Sequence, residues 1–144
     1  MSHRPVRSII QNRGVLTAET TMTVSDAARL MQEHKTGALL VCKAGHLVGV
    51  FTERDALFRV ISAKRDPQTT HLADVMTRDP QTVAPDKPLG HALHMMYEGG
   101  FRNVPVLENG RLIGIVSARD ALGPELKTFV EEMDEREHIA EILG

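Results

Sequence analysis

Residues 49–57 read GVFTERDAL, and residues 114–122 read GIVSARDAL. The two stretches lie 65 positions apart and share one frame: Gly, two apolar residues, Thr or Ser, any residue, then Arg-Asp-Ala-Leu. Sliding the chain by that distance lays 24–57 over 89–122 without a gap, so that Ala27 meets Ala92, Met31 meets Met96, Val41 meets Val106 and Gly45 meets Gly110. Chance would match only about one position in sixteen, so the chain contains an internal repeat. Upstream, VRSII (6–10) aligns with LADVM (72–76) after a one-residue slip. Between the copies, 64–70 (KRDPQTT) is polar and carries a proline, as a linker does. The expected organisation is a first repeat over 6–63, a linker over 64–70, a second repeat over 71–123, and a C-terminal helix over 124–144.

Each copy divides in the same way. A short extended piece (15–18 or 82–83) precedes an amphipathic helix (25–34 or 89–97), the first with Ser25 or Thr23 as N-cap. Two apolar runs follow, ALLVC and LVGVF in copy one, NVPVL and LIGIV in copy two, each pair joined by a glycine-bearing turn. Asn109-Gly110 is the strongest hairpin signal in the chain. Pro105 within NVPVL places that strand at an edge or with one side free. A second helix closes each copy, over 53–62 or 118–122. The order is β-α-β-β-α twice, an α+β architecture. A copy of this size buries too little surface alone, so the two are expected to pack face to face with pseudo-twofold symmetry. The stretch 124–143 reads as an acidic amphipathic helix with Phe129, Met133, Ile139, Ile142 and Leu143 on its sticky side, suited first to a dimer contact.

Bulk properties narrow the function. Seventeen basic and nineteen acidic residues leave a net charge of −2, without the basic stripe that nucleic acid requires. No stretch approaches the roughly 20 apolar residues of a membrane span, and no signal-peptide run follows the N-terminus. Cys42 is the single cysteine, which excludes an intrachain disulfide. A cytoplasmic protein with no nucleic-acid or membrane partner is expected.

Two accounts of TERD and SARD stand side by side. Thr52 or Ser117 followed three residues later by Asp55 or Asp120 is a capping-box pattern. The same residues suit a ribose phosphate. A strand-to-helix junction gathers free amides and the positive helix end. An aspartate one turn away can accept two hydrogen bonds from a vicinal diol. Gly49 and Gly114 allow close approach of a backbone at both junctions.

From 6 to 122 the chain resembles a tandem pair of cystathionine-β-synthase (CBS) domains, a Bateman module. The motif that carries the resemblance is Gly-apolar-x-Ser/Thr-x-x-Asp, present as Gly49 to Asp55 and Gly114 to Asp120 and supported by TGALLVCKAGHLVGVFT and FRNVPVLENGRLIGIVS. The resemblance implies a non-catalytic regulatory module whose clefts hold adenosine ligands (AMP, ADP, ATP, NAD(H) or S-adenosylmethionine) as effectors, and which forms flat homodimers. It implies that Asp55 and Asp120 hold ribose hydroxyls, that Thr52 and Ser117 hold ribose or the first phosphate, and that Val50 and Ile115 flank adenine. Thr36, Gly37 and Ala38, together with Phe101, Arg102, Asn103, Val104 and Pro105, would line the adenine and phosphate region, with Leu16 and Gln81 on the first strands. Arg102 is expected to meet phosphate, helped by Arg54 and Arg119 through bidentate contacts. Gly37 stands where copy two has Arg102, and Leu40 where it has Pro105, so the two clefts are expected to differ.

Other constellations point elsewhere. His91 and His94 lie three apart on one helix with Glu98 four further on; two ligands are possible there, but a zinc site needs a third and outer partners that fix the ligands, so no metal and no catalytic residue is assigned. The readings to be separated are an adenine-nucleotide sensor acting in trans on a regulated protein, with AMP, ATP or NAD(H) as effector; a ligand-free dimerisation scaffold; and a small metal-dependent hydrolase.

Overall fold

A computed structural model describes residues 4–143, with backbone only at 124–127 and 141–143. In chain order the elements are α1 (Val6–Ile10), β1 (Thr17–Glu19), α2 (Val24–Glu33), β2 (Ala38–Lys43), β3 (His46–Thr52) and α3 (Glu53–Asp55), which runs into a π-helical stretch, Ala56–Ile61. Then come α4 (Leu72–Val75), β4 (Thr77–Arg78), α5 (Leu89–Gly99), β5 (Asn103–Glu108), β6 (Arg111–Ser117), a 3-10 turn (Ala118–Leu122) and α6 (Gly123–Leu143). The mixed α+β fold with two repeats is the one expected.

The repeat is visible in how each element forms. Helix α2 starts where the Thr23 hydroxyl accepts from the Asp26 amide at 3.2 Å, and it buries Val24, Ala27 and Met31. Helix α5 buries Leu89, Ala92 and Met96, the positions 65 further on, and stops at Gly100 with φ 73°. The hairpins turn at Ala44-Gly45 (φ 51° and 80°) and Asn109-Gly110 (φ 53° and 79°), the left-handed pairs that match strand twist. Both carry an irregularity after the residue facing the strand glycine, at Val41/Cys42 and Val106/Leu107.

Pro105 accounts for the chief difference between the sheets. In copy one, β1 runs parallel to β2, and the Leu40 amide donates to Leu16 O at 3.1 Å. Pro105 occupies the matching place and has no amide to donate toward Gln81. The expected strand at 82–83 accordingly shrinks to one bridge, in which Val83 N donates to Pro105 O at 3.0 Å and its carbonyl accepts from Leu107 N at 3.1 Å. The first strand of copy one also sits later than expected, at 17–19 rather than 15–18. The closing helices depart from regular α geometry, one becoming π-helical and the other 3-10.

The two copies exchange their opening segments. Helix α1 packs in the core of copy two: Val6 and Ile10 are buried with Leu89, Ala92, Val104 and Val116. Helix α4 packs in the core of copy one, where Leu72, Val75 and Met76 join Met31, Leu39 and Phe51. Strand β4 extends the first sheet, giving the order β1-β2-β3-β4 with Gly49 opposite Arg78. Arg7 on α1 binds the carboxylates of Glu108 and Asp86, tying the exchange at the surface. Strand glycines admit the exchanged chain. A Cβ on Gly49 would overlap Met76 Sδ and stand 3.0 Å from Thr77 O, while one on Gly114 would meet Ile10 Cδ1 at 2.8 Å. Of α6, residues 128–140 are exposed, so over that length it does not pack on its own body. The Ile142 and Leu143 side chains lie outside the described residues.

Gly49→Ala is expected to destabilise the fold by about 1–3 kcal/mol through overpacking against Met76 and the Thr77 carbonyl. Urea unfolding measures this, and an unchanged midpoint would contradict the close approach.

Candidate functional site

The exchange brings three stretches to one cleft: the end of β3 with α3, the chain just after α4, and the turn from α5 into β5. The cleft has a volume of about 880 Å³ and includes Thr52, Asp55, Gln81 and Arg102 in its lining. That size falls within the range of roughly 300–1,000 Å³ typical of small-molecule sites.

At its centre both accounts of TERD meet. The Thr52 amide donates to Asp55 Oδ2 at 2.9 Å, the Thr52 hydroxyl to the same oxygen at 3.1 Å, and the Asp55 amide to Thr52 Oγ1 at 3.3 Å. The Glu53 amide is given to Gly37 O at 3.0 Å. Two of the first amides of α3 are therefore already used and are not free to meet an anion. Asp55 is 8% exposed; its second oxygen, Oδ1, has Arg59 Nε at 3.5 Å, and Arg59 Nη1 is held by Val75 O (3.1 Å) and Met76 O (2.9 Å). One carboxylate oxygen caps the helix, and the other meets only a long ion pair among the described residues.

The second copy repeats the cap. The Ser117 amide donates to Asp120 Oδ2 at 2.8 Å and the Ala118 amide to Arg102 O at 2.9 Å. Here Oδ1 accepts from Arg13 Nη2 at 2.7 Å, and Arg4 Nη2 donates to the Asp120 carbonyl at 3.1 Å.

Nine of the residues expected from sequence line the one cleft: Gly37, Val50, Thr52, Arg54, Asp55, Gln81, Phe101, Arg102 and Asn103. Gly37 and Arg102, expected to mark two different clefts, both face this one. Glu53 lies over Gly37, where a Cβ would stand 2.9 Å from its Oε1. Ser117, Arg119 and Asp120 are not in that lining, nor are Leu16, Thr36, Ala38, Val104, Pro105 and Ile115. Leu16 packs on the first core, Val104 is fully buried in the second, and the Thr36 hydroxyl turns to Ala38 O at 3.2 Å. The lining also includes Phe58, Arg59, Thr77, Arg78, Asp79 and Pro80, which sequence reasoning missed. TRDP (77–80) follows directly on the slipped match at 72–76, and that adjacency was the available signal. Among the described residues, the guanidinium groups of Arg54 and Arg102 make no ion pair or hydrogen bond, whereas that of Arg78 donates to Ala73 O at 2.8 Å.

A model of the CBS domain matches residues 6–62 and 72–123. The chain belongs to the CBS-domain family. Domains of this family act in general as regulatory modules that bind adenosine-containing ligands. The chain is 33% identical over 129 residues to an uncharacterised protein of Methanopyrus kandleri, covering 86% of this chain and 66% of that one. It is 34% identical over 123 residues to the mitochondrial CBS domain-containing protein CBSX3 of Arabidopsis thaliana, covering 82% and 60%. It thus spans two thirds or less of these relatives' length. A CBS-domain protein of Agrobacterium tumefaciens superimposes with a TM-score of 0.78 at 30% identity, over 85% of this chain and 93% of that one.

The remaining polar clusters are sparse. His94 Nε2 lies 3.1 Å from Glu98 Oε1, and among the described residues no three His, Cys, Asp or Glu side chains gather as a metal site. Burial, then the charge of Glu19, raises the Cys42 thiol above its ordinary value. No helix among the described residues is long and apolar enough to cross a membrane.

Because Asp55 caps α3 from a buried position, Asp55→Ala is expected to cost about 1–2 kcal/mol of stability. Asp55→Asn keeps an acceptor for the Thr52 amide and is expected to cost less than half of that. Equal melting temperatures for wild type and Asp55→Ala would contradict the cap.

Proposed function

We propose that this CBS pair is a sensor that binds an adenosine nucleotide in the Asp55 cleft and acts in trans on a protein partner. The observation that carries the reading is the pairing, across one cavity, of a buried carboxylate with a loosely held oxygen and two cationic side chains, Arg54 and Arg102, without partners among the described residues. The carboxylate oxygen suits a ribose diol, and guanidinium groups suit phosphate. Val50 and Phe101 supply apolar surface for a base. AMP, ATP and NAD(H) share these features, and the cavity volume accommodates each.

A homodimer fits the surface. Leu57 and Leu122 are repeat equivalents, both at least half exposed, and Phe58 and Ile61 stand out at 58% and 67% exposure. Leu57 and Phe58 also line the cleft. A ligand that binds the two arrangements of this edge with different affinity would alter the dimer face, as population shift requires. One observation favours a second reading, the empty dimerisation scaffold: both aspartates already serve as helix caps, so each has a structural reason to exist.

Titration calorimetry with AMP, ATP and NAD+ separates the two. Binding of at least one nucleotide is expected, weakened about 10- to 100-fold by Asp55→Asn or Arg102→Ala, as loss of a charge-assisted contact implies. Absence of heat with all three at millimolar concentration would favour the scaffold, and sedimentation of a monomer would contradict the dimer.

A further inference from the structure

We propose that Arg13 is a built-in occupant of the second cleft: it holds the Asp120 oxygen that a ribose diol would need and so limits the chain to one nucleoside ligand, at Asp55. The inference rests on the nucleotide reading above and goes beyond it in fixing which cleft is used and why.

The two carboxylates are related by the repeat and capped in the same way through Oδ2, at 2.9 Å from the Thr52 amide and 2.8 Å from the Ser117 amide. They differ in the oxygen left over. At Asp55 the only cation on Oδ1 among the described residues is Arg59 Nε at 3.5 Å, too long for an ordinary hydrogen bond, and two backbone carbonyls hold that guanidinium in place. At Asp120 the Arg13 guanidinium donates to Oδ1 at 2.7 Å, a charge-assisted bond of full strength. The carboxylate is largely buried and the arginine half exposed, so removing Arg13 would leave a largely buried anion without its partner. A neutral sugar hydroxyl would have to displace a charged donor. Arg4 adds a second clamp on the Asp120 carbonyl.

The asymmetry is written into the exchanged segments. Arg13 lies in the chain that follows α1, and the same chain after α4 borders the Asp55 cleft. By the one-residue slip relating α1 to α4, Arg13 corresponds to Asp79, an acid that cannot pair with Asp55. The cleft lined by Asp79 is the one with about 880 Å³ of space, and Asp120 does not line it.

The test is the stoichiometry of AMP binding to the full chain by calorimetry. One AMP per wild-type chain is expected, and two per Arg13→Gln chain, with Asp120→Asn added to Arg13→Gln returning the count to one. Two AMP per wild-type chain, or one per folded Arg13→Gln chain, overturns the proposal and leaves the Asp55 reading standing. No binding by either protein sinks the nucleotide reading and this inference with it. A second readout needs no nucleotide: in a double-mutant cycle of Arg13→Gln and Asp120→Asn, the losses in melting temperature are expected to be strongly non-additive. Additive losses overturn the pair, and a wild-type count of two overturns the proposal even if the variants unfold.

Discussion

The structure depends on the reciprocal exchange of the opening segments. Val6 and Ile10 bury themselves in the core of copy two, while Leu72, Val75 and Met76 do so in that of copy one. Neither half closes its core without a segment from the other, which is why two small repeats form one molecule. The glycines at 49 and 114 are the points where this is sterically possible, since a side chain there would stand in the place of Met76 or Ile10. The same exchange builds the site: once Met76 is fixed against Gly49, the next residues, Thr77 to Gln81, run along the edge of the Asp55 cleft.

Each motif aspartate caps its helix with one oxygen and leaves the other to its surroundings. Oδ2 closes the helix by accepting from the Thr52 or Ser117 amide, a role that folding alone requires. Oδ1 is the oxygen whose surroundings differ between copies. The repeat therefore preserves the cap and varies the rest: Gly37 against Arg102, Leu40 against Pro105, Arg13 against Asp79. Of these pairs, Gly37 and Arg102 both face the Asp55 cleft, Asp79 lines it, and Arg13 holds Asp120.

The sequence made the repeat, the strands and helices, the hairpin turns and the capping motif legible, because each leaves a local trace such as Asn109-Gly110 or the apolar spacing of Val24, Ala27 and Met31. It did not disclose which core α1 enters. Val6 and Ile10 look the same whether buried at home or across the interface, and the one-residue slip hid their relation to α4. The neighbours of Asp55 from 77–80 were missed for the same reason. The loss of the strand at 82–83 was half legible: Pro105 was read as an edge residue, but the missing bond it implies toward Gln81 appears only when set beside Leu40 and Leu16. Likewise Ser117, Asp120 and Arg119 share the motif yet stand apart from the cleft, and the partner of Asp120 there, Arg13, is distant in sequence.

If the Asp55 cleft is where a nucleotide binds, its three walls must respond together, since each comes from a different part of the chain. Amide hydrogen exchange followed by mass spectrometry, with and without saturating AMP, reads this directly. The account predicts joint slowing of exchange in 52–58, 77–81 and 99–103, with 117–122 unchanged. Slowing confined to 117–122, or none anywhere while calorimetry shows AMP bound, would contradict it.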